Sequence, residues 1–366
     1  MKENQDPGSR WIGGVEPPAE LRGRDMTSIY EMECRDQPER LAQLLREYDN
    51  DSTIRTELEA LREMSRSPGP VLFIGMGASY CSSITGVSHL QSCGRPSFAV
   101  DASEWLHYSA TWDQAAWSLL VTTSGESAEL VRLCEKDANQ RLALLCNNEH
   151  STCWSLARNK LPILAGPEYG NATKTYTNAT AACIVLASHI LRQSWRDAAP
   201  WVIESYSRSL DTVFEQRYKI EEFCRGAANI EIIGRGPAYG AAIMGALCIR
   251  EMTGQRAAPH SGGGFRHGPL LDVSDTHVAV ILALGRTAAL GVSLAKDCLA
   301  RGGRVILVES DDRPHSERLL PIRIDPVPEP WEGITAVLVP QALTLAIAER
   351  FGAKLAPRFQ YGEMKE

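Results

Sequence analysis

The tightest constraint on the fold is a repeat. Val71-Leu72-Phe73-Ile74 runs into Gly75-Met76-Gly77-Ala78-Ser79-Tyr80, and 159 residues later Ile232-Ile233 runs into Gly234-Arg235-Gly236-Pro237-Ala238-Tyr239. Gly86 and Gly245 keep that offset, as do Val121 and Val280. Val305-Ile306-Leu307-Val308 answers the run Leu142-Ala143-Leu144-Leu145. Each copy of the turn reads as strand, tight turn and helix start. Apolar runs of strand length alternate with helical stretches, which predicts parallel sheets covered on both faces. The expected fold class is α/β, with two duplicated, doubly wound parallel-sheet domains.

A chain of 366 residues suits two domains of roughly 150 residues each. The boundaries read as a mobile leader over 1–25, a first domain over 26–200 and a second over 201–366 that ends in a C-terminal tail. The linker is expected near 196–212. Met26 to Tyr48 has helical spacing, with a break allowed at Pro38. Gly333 to Phe351 reads as an apolar helix packed on the second domain or on a partner subunit.

Charge narrows the partners. The net charge is −7 and no Lys/Arg block stands out, which argues against nucleic acid. A small anion stays possible, because one lysine or one helix N-terminus can hold a phosphate. No uninterrupted apolar run approaches the roughly 18 residues of a membrane span. Ten scattered cysteines without a Cys-x-x-Cys pair, and no signal peptide, read as reduced thiols in the cytoplasm.

The Gly-x-Gly turns invite a dinucleotide, with Asp101 posing as the ribose ligand. However, Tyr80 and Tyr239 stand where a third glycine is needed for close helix packing, so no cofactor is expected. Thr122-Thr123-Ser124-Gly125-Glu126-Ser127 follows a strand and opens a helix. Its hydroxyls and backbone N–H groups suit a phosphate monoester, although Ser and Thr also cap helices routinely. The second half reads Ile281-Leu282-Ala283-Leu284-Gly285-Arg286 at the same offset, with no hydroxyls. Capping alone would not require that asymmetry. A ligand held mainly by the first half would.

Ala165-Gly166-Pro167-Glu168 through Ala172-Thr173-Lys174-Thr175 adds a lysine and two hydroxyls, which a capped loop with a solvated lysine would also explain. Glu251 ends an apolar helical run. His267 follows the glycine-rich loop Gly262-Gly263-Gly264. Together they are the minimum acid/base pair for moving protons on a sugar carbon, if they meet over one pocket. The bland alternatives are a solvated helix glutamate and a backbone-bonded histidine. His260 and His267 lack a third ligand at useful spacing, so no metal is expected. Cys248, three residues before Glu251, shares its helix face and reads as a small buried residue.

In order along the chain, these motifs resemble the sugar-isomerase (SIS) family with its flavodoxin-like domains. The likeness spans roughly 27–362. It is closer to proteins with two such domains, such as the isomerase half of glutamine–fructose-6-phosphate aminotransferases and the fructosamine-6-phosphate deglycases. The resemblance implies a sugar phosphate on Ser79, Thr122, Thr123, Ser124 and Ser127, with Thr173 and Lys174 as further substrate contacts. It implies Glu251 as the acid/base glutamate and His267 as the histidine of ring opening and proton transfer, which can come from the neighbouring subunit of a homodimer.

Two departures from the family matter. Cys248 stands where the isomerase has a lysine, and Gly362, beyond Pro357-Arg358, falls near a second expected lysine. Without those amines, one of which is expected to form a Schiff base, the Glu/His pair looks more like the deglycases. The expected function is cleavage of the C–N bond of an amine-substituted hexose 6-phosphate. The rivals are an aldose–ketose isomerase and a non-catalytic sugar-phosphate-binding regulator. Glu251 working near neutral pH would need a raised pKa, which burial beside an apolar helix face could supply.

Overall fold

The computed structural model describes residues 25–109, 114–137 and 141–353. The leader up to residue 24 and the tail with Pro357, Arg358 and Gly362 lie outside the described residues. The first half runs α1 (Met26–Asn50), α2 (Ser52–Met64), β1 (Val71–Gly75), α3 (Ala78–Ser92), β2 (Ser97–Asp101), α4 (Ala102–Tyr108), β3 (Trp117–Thr122), α5 (Ala128–Glu135), β4 (Leu142–Cys146), α6 (Thr152–Leu156), β5 (Asn159–Pro162) and α7 (Lys174–Ile190). The second runs α8 (Ala199–Glu215), α9 (Arg217–Cys224), β6 (Asn229–Gly234), α10 (Pro237–Thr253), β7 (Ala257–Ser261), α11 (Gly262–Arg266), β8 (His277–Leu282), α12 (Ala288–Ala300), β9 (Arg304–Glu309), β10 (Leu319–Arg323), α13 (Glu332–Thr335) and α14 (Leu338–Phe351).

Two parallel five-stranded sheets result, ordered β2-β1-β3-β4-β5 and β10-β9-β8-β6-β7. β1, β3 and β4 are buried along their whole length, as strands covered on both faces must be. The repeated turn has a backbone reason. Gly77 and Gly236 sit at φ +53° and +52°, a region that L side chains avoid. The turn therefore needs its second glycine whatever occupies the third position. Asp101, set aside as a ribose ligand, caps α4 by accepting from the Ser103 and Glu104 N–H groups.

Three local expectations change. Pro38 does not break α1. It has no N–H to give to the Cys34 carbonyl four residues back, and the Gln37 side-chain amide donates to that oxygen instead, at 2.9 Å. The segment expected as a linker is mostly helix α8, held by buried Val202, Tyr206, Leu210 and Val213. The triple glycine is not a loop but the start of α11, whose N-terminus Ser261 caps by accepting from the Gly264 N–H.

Glu332 to Phe351 is, among the described residues, the one stretch long and apolar enough to cross a membrane, yet 83% of it is buried against the rest of the chain. A Cβ on Gly245 would lie 2.4 Å from the Pro340 ring, so α10 and α14 pack at backbone contact.

The two halves meet mainly through α3 and α10, which cross at Gly240. A Cβ there would lie 2.4 Å from the Cys81 carbonyl oxygen, a backbone atom that cannot yield alone. Gly240→Val is expected to force the helices apart at a cost of about 1–3 kcal/mol, read as a lower unfolding midpoint in urea.

Burial also builds in a pH dependence. Glu332 is buried with Oε2 unpartnered, and desolvation raises its pKa from 4.5 to about 8, with the Glu329 carboxylate adding to the rise. The folded chain thus holds this proton more tightly than the unfolded chain. The stabilisation is full below about 4.5 and is lost as pH rises towards 8. Thermal unfolding at pH 5 and pH 8 should show a smaller drop for Glu332→Gln than for the native chain.

Candidate active site

The first sheet reverses its strand order between β1 and β3, and crevices at such points, beyond the carboxyl ends of the strands, are where open α/β sheets bind ligands. The turn after β1 carries Ser79, half-buried in the first turn of α3. The loop after β3 carries Thr122 to Ser127, so the two segments flank the crevice. The loop is pre-shaped by its own hydroxyls. Thr122 Oγ1 accepts from the Gly125 N–H at 3.0 Å, and Ser124 Oγ accepts from the Glu126 N–H at 3.2 Å. Thr123 is half-buried beside them. Ser127 holds the N-cap position of α5, but its hydroxyl makes no capping bond, which removes the simplest bland account of that residue. Glu126 turns away from the crevice and accepts from the Thr152 N–H and hydroxyl, each at 2.8 Å.

Helix α10 brings Glu251 from the second half to the neighbourhood of Cys81 on α3. Cys81 lies two residues beyond Ser79. Burial pushes its thiol up to about 12, and the nearby Glu251 carboxylate adds to the rise. Burial likewise holds Cys248 well above the ordinary thiol range, again with Glu251 adding. Glu251 is itself half-buried, so it retains access to a ligand. Cys248 is fully buried. Its backbone carbonyl accepts from Asn171 Nδ2 at 3.1 Å, and its thiol reaches the Ala172 carbonyl at 3.9 Å. The position is a small buried thiol, without an amine.

The lysine loop is placed differently from expectation. Lys174 is buried and pairs with Asp36 at 3.0 Å, so it is not a solvated lysine. The Thr173 hydroxyl donates to Glu168 at 2.8 Å. In this structure both side chains are engaged within the loop's own framework.

That framework rests on two carboxylates: Glu33, which the sequence reading missed, and Glu168, which it quoted in a motif without a role. Glu33 accepts from the Gly170 N–H at 3.3 Å and from the Tyr169 N–H. Glu168 accepts from the N–H groups of Thr173 and Thr175, filling the N-terminal positions of α7. Burial lifts Glu33 to about 8, and the neighbouring Glu168 carboxylate pushes in the same direction. The available signal was positional: Glu33 lies among Tyr30, Cys34, Gln37 and Leu41, the buried face of α1.

Glu251 and His267 are not brought together within one chain. Glu251 lies just before β7 and His267 just after it, at opposite ends of a strand about 13 Å long. His267 is exposed at the end of α11, and Leu271, in the following turn, is 67% exposed. His260 is paired with Glu231 at 2.7 Å.

A cavity of about 670 Å³ lies at the second half's counterpart of the hydroxyl loop, lined by Gly285, Ser293, Lys296 and Ser310 among others. The hydroxyl loop and Ser79 belong to the first half, and α10 carries Glu251 towards Cys81 on α3.

Two parallel sheets, with a polar loop and a turn at the first one's crevice, define a tandem doubly wound α/β protein. The chain belongs to the SIS-domain family, which matches residues 65–189 and 225–347, one match in each half. It is 30% identical over 291 residues to a glutamine–fructose-6-phosphate aminotransferase (isomerizing) of Pyrococcus horikoshii, covering 76% of this chain and 48% of that one. The chain thus spans about half the length of the curated relatives it matches. Among solved structures, the C-terminal domain of glucosamine-fructose-6-phosphate aminotransferase from Francisella tularensis superposes with a TM-score of 0.78 at 21% identity, covering 93% of this chain and 99% of that one. Glucosamine-6-phosphate deaminase from Thermotoga maritima superposes with a TM-score of 0.70 at 19% identity, covering 91% and 98%.

Proposed function

We propose that the chain is an enzyme that cleaves the C–N bond of an amine-substituted hexose 6-phosphate, releasing an amine and a hexose phosphate. The observation that carries this reading is the approach of Glu251 to the Ser79 helix with a buried thiol, Cys248, where an amine would be needed for Schiff-base chemistry. The names of the similar proteins, an aminotransferase acting on fructose 6-phosphate and a glucosamine-6-phosphate deaminase, support the substrate class.

In this reading the phosphate sits on Ser79, Thr122, Thr123, Ser124 and Ser127, aided by the N-terminus of α5. Thr173 and Lys174 act by holding the loop that closes the pocket. Glu251 moves a proton between adjacent carbons of the open sugar through an enediol- or enolamine-like state. His267 assists ring opening or protonates the departing nitrogen, and water takes the vacated bond to carbon. Because Glu251 and His267 flank opposite ends of β7, the working pair is formed between two subunits, with His267 donated across a homodimer face that also carries exposed Leu271. The setting is the reducing cytoplasm, in keeping with ten free cysteines.

The test is product analysis on glucosamine 6-phosphate and fructosamine 6-phosphate. Release of ammonia or free amine in step with hexose phosphate supports the reading. Ketose–aldose interconversion without amine release replaces it with an isomerase. Thermal stabilisation without any turnover replaces it with a sugar-phosphate-binding regulator.

A further inference from the structure

We propose that the cavity of about 670 Å³ in the second half is a second small-molecule site, which binds a hexose phosphate without turning it over. It lies beyond the carboxyl ends of the neighbouring parallel strands β8 and β9, between the Ala283–Gly285 turn, helix α12 and the Glu309–Asp311 turn. The hydroxyl loop holds the same place in the first half, 159 residues earlier. The duplication has kept the place and changed its chemistry. The turn after β8 reads Ala283-Leu284-Gly285, and the polar groups come instead from α12 and from the turn after β9.

Three side chains in the lining have hydrogen-bonding capacity to spare. Lys296 has no hydrogen-bond or ion-pair partner among the described residues. Ser293 Oγ accepts from Arg266 Nη2 at 3.2 Å, which leaves its own O–H to donate. The Ser310 hydroxyl has no partner among the described residues, while its carbonyl accepts from Arg323 Nε at 3.3 Å. Thr287, the N-cap of α12, makes no side-chain capping bond, so the positive end of that helix is not covered by its own cap. Of the two carboxylates present, Glu309 is neutralised by Arg313, which donates to it at 2.7 and 3.0 Å. Asp311 is exposed and offers an acceptor for hydroxyl groups.

An unpaired lysine, two donor hydroxyls and an uncapped helix start suit a phosphate. The volume falls in the range of small-molecule pockets, roughly 300–1,000 Å³, and leaves room for a body beyond the anion. Asp311 and the small apolar wall of Ala288, Ala289 and Val292 suit a hydroxylated ring. No histidine lines the cavity among the described residues, and its buried glutamate is tied to an arginine, so the pair needed to move protons is missing and the site binds without chemistry. The choice of a hexose 6-phosphate rests on the function proposed above, whereas the cavity and its lysine do not.

The experiment is equilibrium dialysis of the full chain against radiolabelled fructose 6-phosphate. Two bound molecules per native chain are expected. Lys296→Ala should weaken one of them by roughly tenfold, the loss of a charged hydrogen bond. Ala289→Phe, a substitution at an exposed helix position that fills the cavity, should abolish the same one. Ser127→Ala should weaken the other and leave the Lys296-dependent one intact. Binding that neither cavity variant alters overturns the proposal, and inorganic phosphate that binds the cavity as tightly as fructose 6-phosphate overturns the sugar assignment. Residual turnover in Glu251→Gln that Ala289→Phe removes overturns the absence of chemistry here. A single molecule per chain that the cavity variants weaken and Ser127→Ala does not upholds this site and removes the first-half phosphate site. A single molecule that only Ser127→Ala weakens does the reverse, and no binding by the native chain overturns both.

Discussion

Glu251→Gln is expected to reduce the rate of amine release by about 10²–10⁴-fold, the usual contribution of a positioned general acid/base. The substitution keeps the shape of the side chain and removes only its ability to take a proton. In the proposed reading the phosphate is held by the first half, by Ser79 and the Thr122–Ser127 loop, whereas Glu251 lies on α10 of the second. Binding and chemistry should therefore separate. Thermal stabilisation by glucosamine 6-phosphate persists in the variant while turnover disappears. A full rate in Glu251→Gln would remove the mechanism. Loss of binding together with rate would instead make Glu251 a ligand contact. Ser127→Ala supplies the converse case, with weakened binding expected and an intact glutamate.

The parts of this molecule that were legible in the sequence are those where local chemistry leaves little choice. The repeated Gly-x-Gly turns appeared because a positive φ at Gly77 and Gly236 tolerates little else. The hydroxyl loop appeared because only one half carries it. The buried carboxylates did not appear, because a glutamate on a helix reads as solvated unless the opposing surface is known. Glu33 is satisfied by N–H groups from Tyr169 and Gly170, more than a hundred residues away. Lys174 was misread for the same reason, since its partner Asp36 lies on α1. The relation between Glu251 and His267 was hidden more deeply. Sixteen residues separate them in sequence, but the intervening edge strand β7 carries the chain from the amino end of the sheet to its carboxyl end.

That geometry leads to the second large effect. If the pair is completed between subunits, Glu251→Gln and His267→Asn chains, each nearly inactive alone, should restore activity when mixed under conditions that exchange subunits. Random exchange makes half the dimers mixed. Each mixed dimer has one site with both substitutions and one with neither, so about a quarter of the native activity is expected from two-fold symmetry. If Glu251 and His267 instead served the same chain's site, every site in a mixed dimer would lack one residue and no activity would return. The readout does not depend on which amine the enzyme releases, only on a measurable rate. Leu271→Asp adds an independent check, because a charge on the exposed apolar residue beside His267 should weaken subunit association. Its activity should then fall on dilution, where the native chain's does not, and a variant that stays dimeric at every concentration would remove this face from the interface.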